Sequence, residues 1–381
     1  MPPRRTHGTA ANPSPLASFA APLTRLLAAA VPRLFLDEHV FDFYASQLGP
    51  QLSLNRILAQ VEAIRPEARD VLSFVLRPNP NWQGFRAGQH VQLTVEIDGV
   101  RHTRVYSPSN APAAGGTVTL TVKRHPGGRV SGYLHERVAV GDIVELSQAF
   151  GDFVLPDPVP AKLLMIAGGS GITPLMAMLR DLLARGIDTD IVFAHYAHTH
   201  RDLIFTDELV GLGERHPNLH LHFGITAVSA LPGELSGRFS GEHLDRIASD
   251  PAERRTLVCG PRGLLDTVNA LWEDRGYPEP PCGEAFTPAV VTATDTPEIV
   301  LRFARSFTDV RGDTGVPLLV QAETAGLRPR SGCRMGICHS CTCRKQSGAV
   351  KNLLSGAITA EPDEDIRLCI SVPVSDVTLD L

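Results

Sequence analysis

The chain has 381 residues, 43 % hydrophobic and 20 % charged, an ordinary globular composition with room for two or three domains. A formal net charge of −5 argues against a nucleic-acid partner. No apolar run reaches the roughly 18 residues that read as a membrane span. Seven cysteines in so long a chain argue against a secreted disulfide scaffold, and clustered thiolates predict a reducing, cytoplasmic setting.

Residues 1–51 read as a separate extension. Arg4, Arg5, Arg25 and Arg33 all precede the first acid, Asp37, and the proline-rich residues 1–15 have the composition of a disordered segment. Leu16 to Leu36 is apolar, but Pro22, Arg25, Pro32 and Arg33 break it, which rules against a secretory signal. Three readings stay open: an organellar transit peptide, a basic amphipathic segment on a membrane or partner, or a helical extension packed on the catalytic body. The second would make the protein peripheral at the inner face of the membrane.

Residues 52–156 turn to short strands: Ile57–Ile64, Val71–Leu76, His90–Ile97, Thr117–Lys123 and Ile143–Leu146. Asp98-Gly99 is a hairpin signal, and the pattern predicts a small antiparallel β-barrel. Two stretches inside it carry candidate chemistry. Arg104-Val-Tyr106-Ser107 offers a cation, a stacking ring and a hydroxyl within four residues. On spacing alone an ordinary strand, Arg out and Tyr in, is the better reading. In the second stretch Gly127 and Gly128 allow close approach of the backbone, and a helix beginning at Arg129, followed by Val130 and Ser131, can turn free N–H groups toward a phosphate.

Residues 161–286 change to an α/β period. Lys162–Ala167 reads as a buried strand, followed by Gly168-Gly169-Ser170-Gly171-Ile-Thr173-Pro174 and a helix from Leu175 to about Ala184. Thr173 is expected to cap that helix, with Pro174 at its first position. A glycine turn between strand and helix is a pyrophosphate cradle, although it is not the G-x-G-x-x-G fingerprint. Strands Ile191–Tyr196, Leu219–Thr226 and Thr256–Cys259, with helices near Thr206, His243 and Gly263, predict a doubly wound parallel sheet. Cys259 at a strand end reads as packing when taken alone. His198, His200 and Arg201 after the second strand and Arg238 after the third are cations available to a nucleotide phosphate, and no competing acid precedes His198; for a nicotinamide coenzyme, which the resemblance below implies, this charge argument favours NADPH over NADH.

Residues 287–296 read as a linker and 297–381 as a third unit. Cys333, Cys338 and Cys341 have the spacing C-x4-C-x2-C, with Cys369 further on, the thiolate pattern of a plant-type 2Fe-2S cluster. A zinc site would favour paired C-x2-C units. Cys343 is then spare. The acidic run Glu361, Asp363, Glu364, Asp365 lies just before Cys369 and, in a unit otherwise near neutral, is expected to be its main electrostatic handle for a basic partner.

These motifs resemble known families. Arg104-x-Tyr106-Ser107, Gly128-Arg129-Val130-Ser131, Gly151-x-Phe153, Gly168-Gly-Ser-Gly-Ile-Thr-Pro174, Cys259-Gly260-Pro261 and Glu284-Ala-Phe286 are similar to the signatures of the ferredoxin-NADP reductase superfamily. Residues from about Thr296 resemble plant-type ferredoxins, which implies a β-grasp fold and a one-electron carrier. The resemblance implies that Arg104 and Gly128–Ser131 meet the FAD pyrophosphate and that Tyr106 stacks on the flavin. It places Gly168–Pro174, Gly260 and Pro261 on the nicotinamide dinucleotide. Ser107, Cys259 and Phe286 then stand at the reacting edge, with no general base required. Hydride from NAD(P)H would pass to FAD, and single electrons to the 2Fe-2S cluster. Module order and the N-terminal extension resemble reductases of membrane fatty-acyl desaturases. A reductase of a Rieske-type or alkyl oxygenase is the alternative, and a redox-responsive binding subunit is a third.

Overall fold

The computed structural model describes residues 51–112, 116–286, 299–332, 334, 336, 339–354 and 356–381. The expectations for the N-terminal extension and the linker, and the placement of Cys333 and Cys338, lie outside the described residues.

Six strands form the first sheet: β1 (Ile57–Ala68), β2 (Val71–Pro78), β3 (Val91–Ile97), β4 (Val100–Tyr106), β5 (Val118–Lys123) and β6 (Ile143–Leu146). They pair antiparallel in the order β4-β3-β6-β1-β2-β5. Asp98 and Gly99 both have positive φ, 53° and 74°, and join β3 to β4 in a two-residue hairpin. Beyond β4, Pro108 bridges to Leu120 of β5, which closes the sheet into a barrel. Alternate residues such as Val61, Phe74, Leu76, Val91, Leu93 and Leu120 fill it. Helix α1 (Arg129–Glu136) follows β5 and buries Val130 and Leu134 against the same core.

The second sheet is parallel. Strands β7 (Lys162–Gly168), β8 (Asp190–Ala197), β9 (Leu219–Ile225), β10 (Leu235–Ser236), β11 (Arg255–Gly260) and β12 (Cys282–Ala285) run in the order β10-β9-β8-β7-β11-β12. Helices α2 (Ile172–Ala184) and α3 (Thr206–Arg215) cover one face, and α4 (Gly241–Ile247) and α5 (Arg262–Asp274) the other. Cover on both faces explains why β7 and β11 are continuous apolar runs. The core under α2 also takes in Val71, Ala87, Phe153 and Leu155 of the first unit, so barrel and nucleotide sheet share packing. Arg69, in the β1–β2 turn, adds a backbone bond to the Arg201 carbonyl (2.9 Å) and an ion pair to Asp202 (3.0 Å).

The third unit has its own core. Strands β13 (Ile299–Phe303), β14 (Thr308–Gly312), β15 (Thr342–Ser347), β18 (Glu364–Arg367) and β20 (Val377–Leu379) form a mixed sheet ordered β14-β13-β20-β15-β18. Helix α6 (Leu318–Thr324) packs on it, and β16 (Val350–Asn352), β17 (Ile358–Thr359) and β19 (Ser371–Pro373) make a small second sheet. This unit sits on both others: Gln92 Nε2 donates to Ser340 Oγ (2.9 Å), and Arg262 reaches the Leu353 carbonyl (3.5 Å).

One local expectation needs correction, and a second is qualified. Helix α2 begins at Ile172, three residues before the expected Leu175, so Thr173 is inside it and its hydroxyl donates back to the Ser170 carbonyl (3.1 Å) instead of capping. Pro174 is the third helical residue, still within the first turn, where a missing N–H costs no helix bond. The acidic run is partly offset by two cations of its own unit. Asp363 and Asp365 pair with Arg344 (3.9 and 3.6 Å). Lys345 is fully buried beneath them, donating to the Gly348 and Glu361 carbonyls and lying 3.8 Å from Glu364.

Candidate functional site

A cleft of about 320 Å³ opens between the barrel and the parallel sheet. Its walls hold Arg104, Tyr106 and Ser107 from β4 and its end, Gly128 to Ser131 at the start of α1, Ser170 and Thr173 at the start of α2, and Phe286 after β12. Ser107 is buried, and burial pushes the Tyr106 hydroxyl up to about 12, so it stays a neutral, largely apolar ring. Lys123 and His125 add to Arg104 and Arg129 along the same wall. Cations beside the free N–H groups at the first turn of α1 suit an anionic ligand. Ser131 is committed elsewhere: its Oγ accepts the His125 N–H (3.1 Å) and braces the His125–Gly128 turn. An open concavity of about 580 Å³ continues past Gly127, Gly128 and Arg129 between Asp98, Tyr133 and Arg137.

At the ends of β7 and β11 two turns pack backbone on backbone. A Cβ on Gly171 would collide with the Cys259 carbonyl, one on Gly260 would lie 3.0 Å from the Gly168 Cα, and one on Gly168 would lie 2.8 Å from Pro261 Cδ. These glycines are needed for that contact itself. Gly169 differs, with φ 53° and open space where its side chain would be. Cys259 is fully buried, and burial with the nearby Glu284 charge raises its thiol well above the ordinary range, so it is a neutral thiol packed in the core against the Gly168–Gly171 turn, and it does not line the cleft. Phe286 is fixed by its N–H donating to the Gly260 carbonyl (2.9 Å).

A second cavity, about 670 Å³, lies where all three units meet. His90, Glu284, Phe150 and Asp152 line one side, and Gly336, His339, Leu354 and Arg367 the other. His90 and Glu284 line both cavities. On the ferredoxin-like side, Cys341 and Cys369 are buried, and the Leu368 N–H donates to the Cys341 carbonyl (3.1 Å), setting Cys369 beside Cys341. The Gly336 N–H points at Cys369 Sγ (3.2 Å), and Gly336 suits the position twice over, with a φ of 79° and no room for a Cβ, which would strike Ile370. An amide aimed at a thiolate sulfur from a tight loop is the environment an iron–sulfur cluster uses.

The sequence matches the oxidoreductase FAD-binding domain family over residues 58–155, the oxidoreductase NAD-binding domain family over 165–270 and the 2Fe-2S iron-sulfur cluster binding domain family over 305–374. An NADPH oxidoreductase of Mycobacterium tuberculosis is 34 % identical over 344 residues, 89 % of this chain and 88 % of that protein. This chain belongs to the ferredoxin-NADP reductase superfamily. It is an NAD(P)H-dependent flavin and iron–sulfur oxidoreductase of the kind that carries its ferredoxin domain at the C-terminus. A glycine betaine monooxygenase reductase subunit of Pseudomonas aeruginosa is 32 % identical, covering 85 % of this chain and 95 % of its own. The solved structure of phthalate dioxygenase reductase has the same fold, with TM-score 0.58, 24 % identity, and coverage of 86 % of this chain and 98 % of that one.

For this superfamily reductase, the cleft brings together the barrel residues expected to touch FAD, with Ser170, Thr173 and Phe286. Arg201 is not among them. It lies exposed in the turn after β8, at the carboxyl end of the sheet. His90, Lys123 and Thr121 line the cleft too, and sequence reasoning did not single them out as site residues. A lone histidine at the head of an apolar strand gives no local signal of its place. No helix among the described residues is long and apolar enough to cross a membrane.

Proposed function

We propose that this protein is the reductase component of an oxygenase, taking hydride from NADPH and delivering electrons one at a time to a separate oxygenase protein. The observation that carries the reading is the arrangement of the two cavities. The cleft with the flavin-type donor set shares its His90–Glu284 wall with the cavity that faces the cluster loop. Relatives named as reductases of glycine betaine monooxygenase and of propane 2-monooxygenase support the oxygenase partner over a membrane desaturase. The name of the M. tuberculosis relative supports NADPH.

In this reading Arg104, Lys123, Arg129 and the first amides of α1 hold the FAD pyrophosphate, and the concavity beside Gly127 takes the adenosine half. Tyr106 and Phe286 cover the ring and exclude water, while Ser107 hydrogen-bonds at its reacting edge. Gly169, Ser170 and the Cys259–Pro261 turn shape the nicotinamide side. Cys341 and Cys369, with Cys333 and Cys338, hold the cluster. Bound FAD supplies the conversion of a two-electron hydride into single-electron transfers. The test mixes the holoprotein and NADPH anaerobically with a purified Rieske-type oxygenase and follows the oxygenase cluster by electron paramagnetic resonance. Reduction that depends on the reductase is expected. Full reduction of the reductase's own cluster with none of any protein acceptor would overturn the reading.

A further inference from the structure

In the proposed function the ferredoxin domain must meet two partners, its own flavin side and an outside acceptor, and the structure shows the first of these contacts. Gly336, His339 and Ser340, the described later part of the cluster loop, turn toward the reductase: Gly336 and His339 line the shared cavity, and Ser340 bonds Gln92. The chain leading into the loop does not line that cavity. Arg328 and Arg330 are exposed there, and neither makes an ion pair among the described residues. Arg334 follows, exposed and tied to Glu323 of α6 at 2.7 Å. Arg330 stands three residues before Cys333, within about 11 Å of chain.

Residues 299–381 carry ten Lys or Arg and nine Asp or Glu, so the domain's field depends on which charges are left unpaired. Three acids of the 361–365 run share two cations, Arg344 and the buried Lys345, and exposed Glu361 makes no ion pair among the described residues. Asp309 and Asp380 pair with Arg302 and Arg305. The unpaired charge nearest to Cys333 along the chain is positive.

We infer that the exposed Arg328–Arg330 strip, outside the lining of the shared cavity, is the docking surface for an acidic face of the electron-acceptor protein. This rests on the reading that the cluster hands electrons to a separate protein. Long-range attraction to an acidic face orients the encounter and raises its rate without a large buried area. It places the acceptor beside the cluster's entry loop while the later part of the loop keeps its contact with the barrel.

The test measures NADPH-driven reduction of two one-electron acceptors of opposite charge, acidic flavodoxin and basic cytochrome c. It compares the full-length holoprotein with Arg328→Glu/Arg330→Glu from about 20 mM to about 300 mM salt, a range over which the Debye length shrinks from roughly 20 Å to roughly 6 Å. Parent reduction of flavodoxin is expected to fall about tenfold across that range. The variant should lose that dependence and acquire a falling profile with cytochrome c, at parental iron, sulfide and FAD content. Arg328→Gln/Arg330→Gln should be intermediate, and it decides the matter if the Glu pair does not fold. An unchanged flavodoxin profile in the variants overturns the assignment. So does loss of binding to phosphatidylserine vesicles with that profile intact, which would make the strip a lipid contact. A parent whose cluster is reduced by NADPH yet reduces neither protein overturns outward transfer itself, and the strip's role with it.

Discussion

His90 Nδ1 lies 3.5 Å from Glu284 Oε1, and the two side chains, 2 % and 9 % exposed, form the wall between the flavin cleft and the cavity under the ferredoxin domain. The imidazole also stands edge-on to Phe150, ring centroids 4.3 Å apart. Gly151 makes this possible. Its φ is 108°, and a Cβ there would collide with the His90 ring.

Gly151→Ala should therefore suffer both left-handed strain and overpacking, together about 2–4 kcal/mol, and should lose FAD on dialysis. Adding His90→Ala removes the collision but not the strain, so the double variant should be more stable than the two single losses summed. Denaturant titration of the four proteins measures this coupling. Simple additivity would mean that the contact does not constrain the wall.

A second buried histidine sets a pH dependence. His195 on β8 is fully buried, and its Nε2 accepts the Ile204 N–H at 3.1 Å, anchoring the segment after the His200–Asp202 turn. Burial lowers its pKa to about 4. Between the ordinary value of about 6.5 and 4 the unfolded chain binds a proton that the folded chain refuses. This contribution is full above about pH 6.5 and falls as the pH drops, by about 3 kcal/mol at pH 4. His195→Gln should show a shallower loss of stability on acidification than the parent. Identical slopes would place the acid sensitivity elsewhere.

What the sequence shows and what it hides follow from where the chemistry lies in the chain. Arg104, Tyr106 and Ser107 are legible because one strand end supplies three functional groups to one ligand. The thiolate spacing is legible because one loop must wrap a cluster. Glu284 and His90 come from opposite ends of the catalytic body, and only closure of the barrel onto β12 brings them together. The glycines of 168–171 look like a phosphate cradle in one dimension, yet Gly168 and Gly171 are required by contact with the Cys259–Pro261 turn. Lys345 reads as a surface residue in a charged stretch, but its ammonium finds two carbonyls inside the fold and offsets part of the acidic run's charge.

The spare thiol gives a sharp comparison. Cys343 on β15 is packed in the ferredoxin-domain core, and burial pushes its pKa up to about 11, so it is a protonated thiol at neutral pH. Cys343→Ser should keep iron and acid-labile sulfide at parental levels and cost about 1–2 kcal/mol for the buried hydroxyl. Cys341→Ser and Cys369→Ser should each lose the cluster while retaining FAD, because the flavin cleft has none of that core in its walls. Iron loss in Cys343→Ser, measured by metal analysis, would make it a ligand.

The coenzyme preference turns on what remains free at the carboxyl end of the sheet. His200 is engaged with Glu234 at 2.9 Å, and His198 with the Thr226 hydroxyl at 3.0 Å. Arg201 and Arg238 are exposed and make no ion pair among the described residues, so they are the cations left for a 2′-phosphate. Arg201 is held by its backbone, through the Arg69 N–H to its carbonyl, which leaves the guanidinium unconstrained. Arg201→Ala keeps that backbone bond, and the fold should be unaffected. A lost charge-assisted contact is worth about 1.5–3 kcal/mol, so KM for NADPH should rise roughly ten- to a hundredfold while KM for NADH changes less than about twofold. The NADPH penalty should also shrink at high salt, since the contact is exposed. An equal rise for both coenzymes would remove Arg201 from the site. A selective rise only in Arg238→Ala would move the phosphate to the turn after β10.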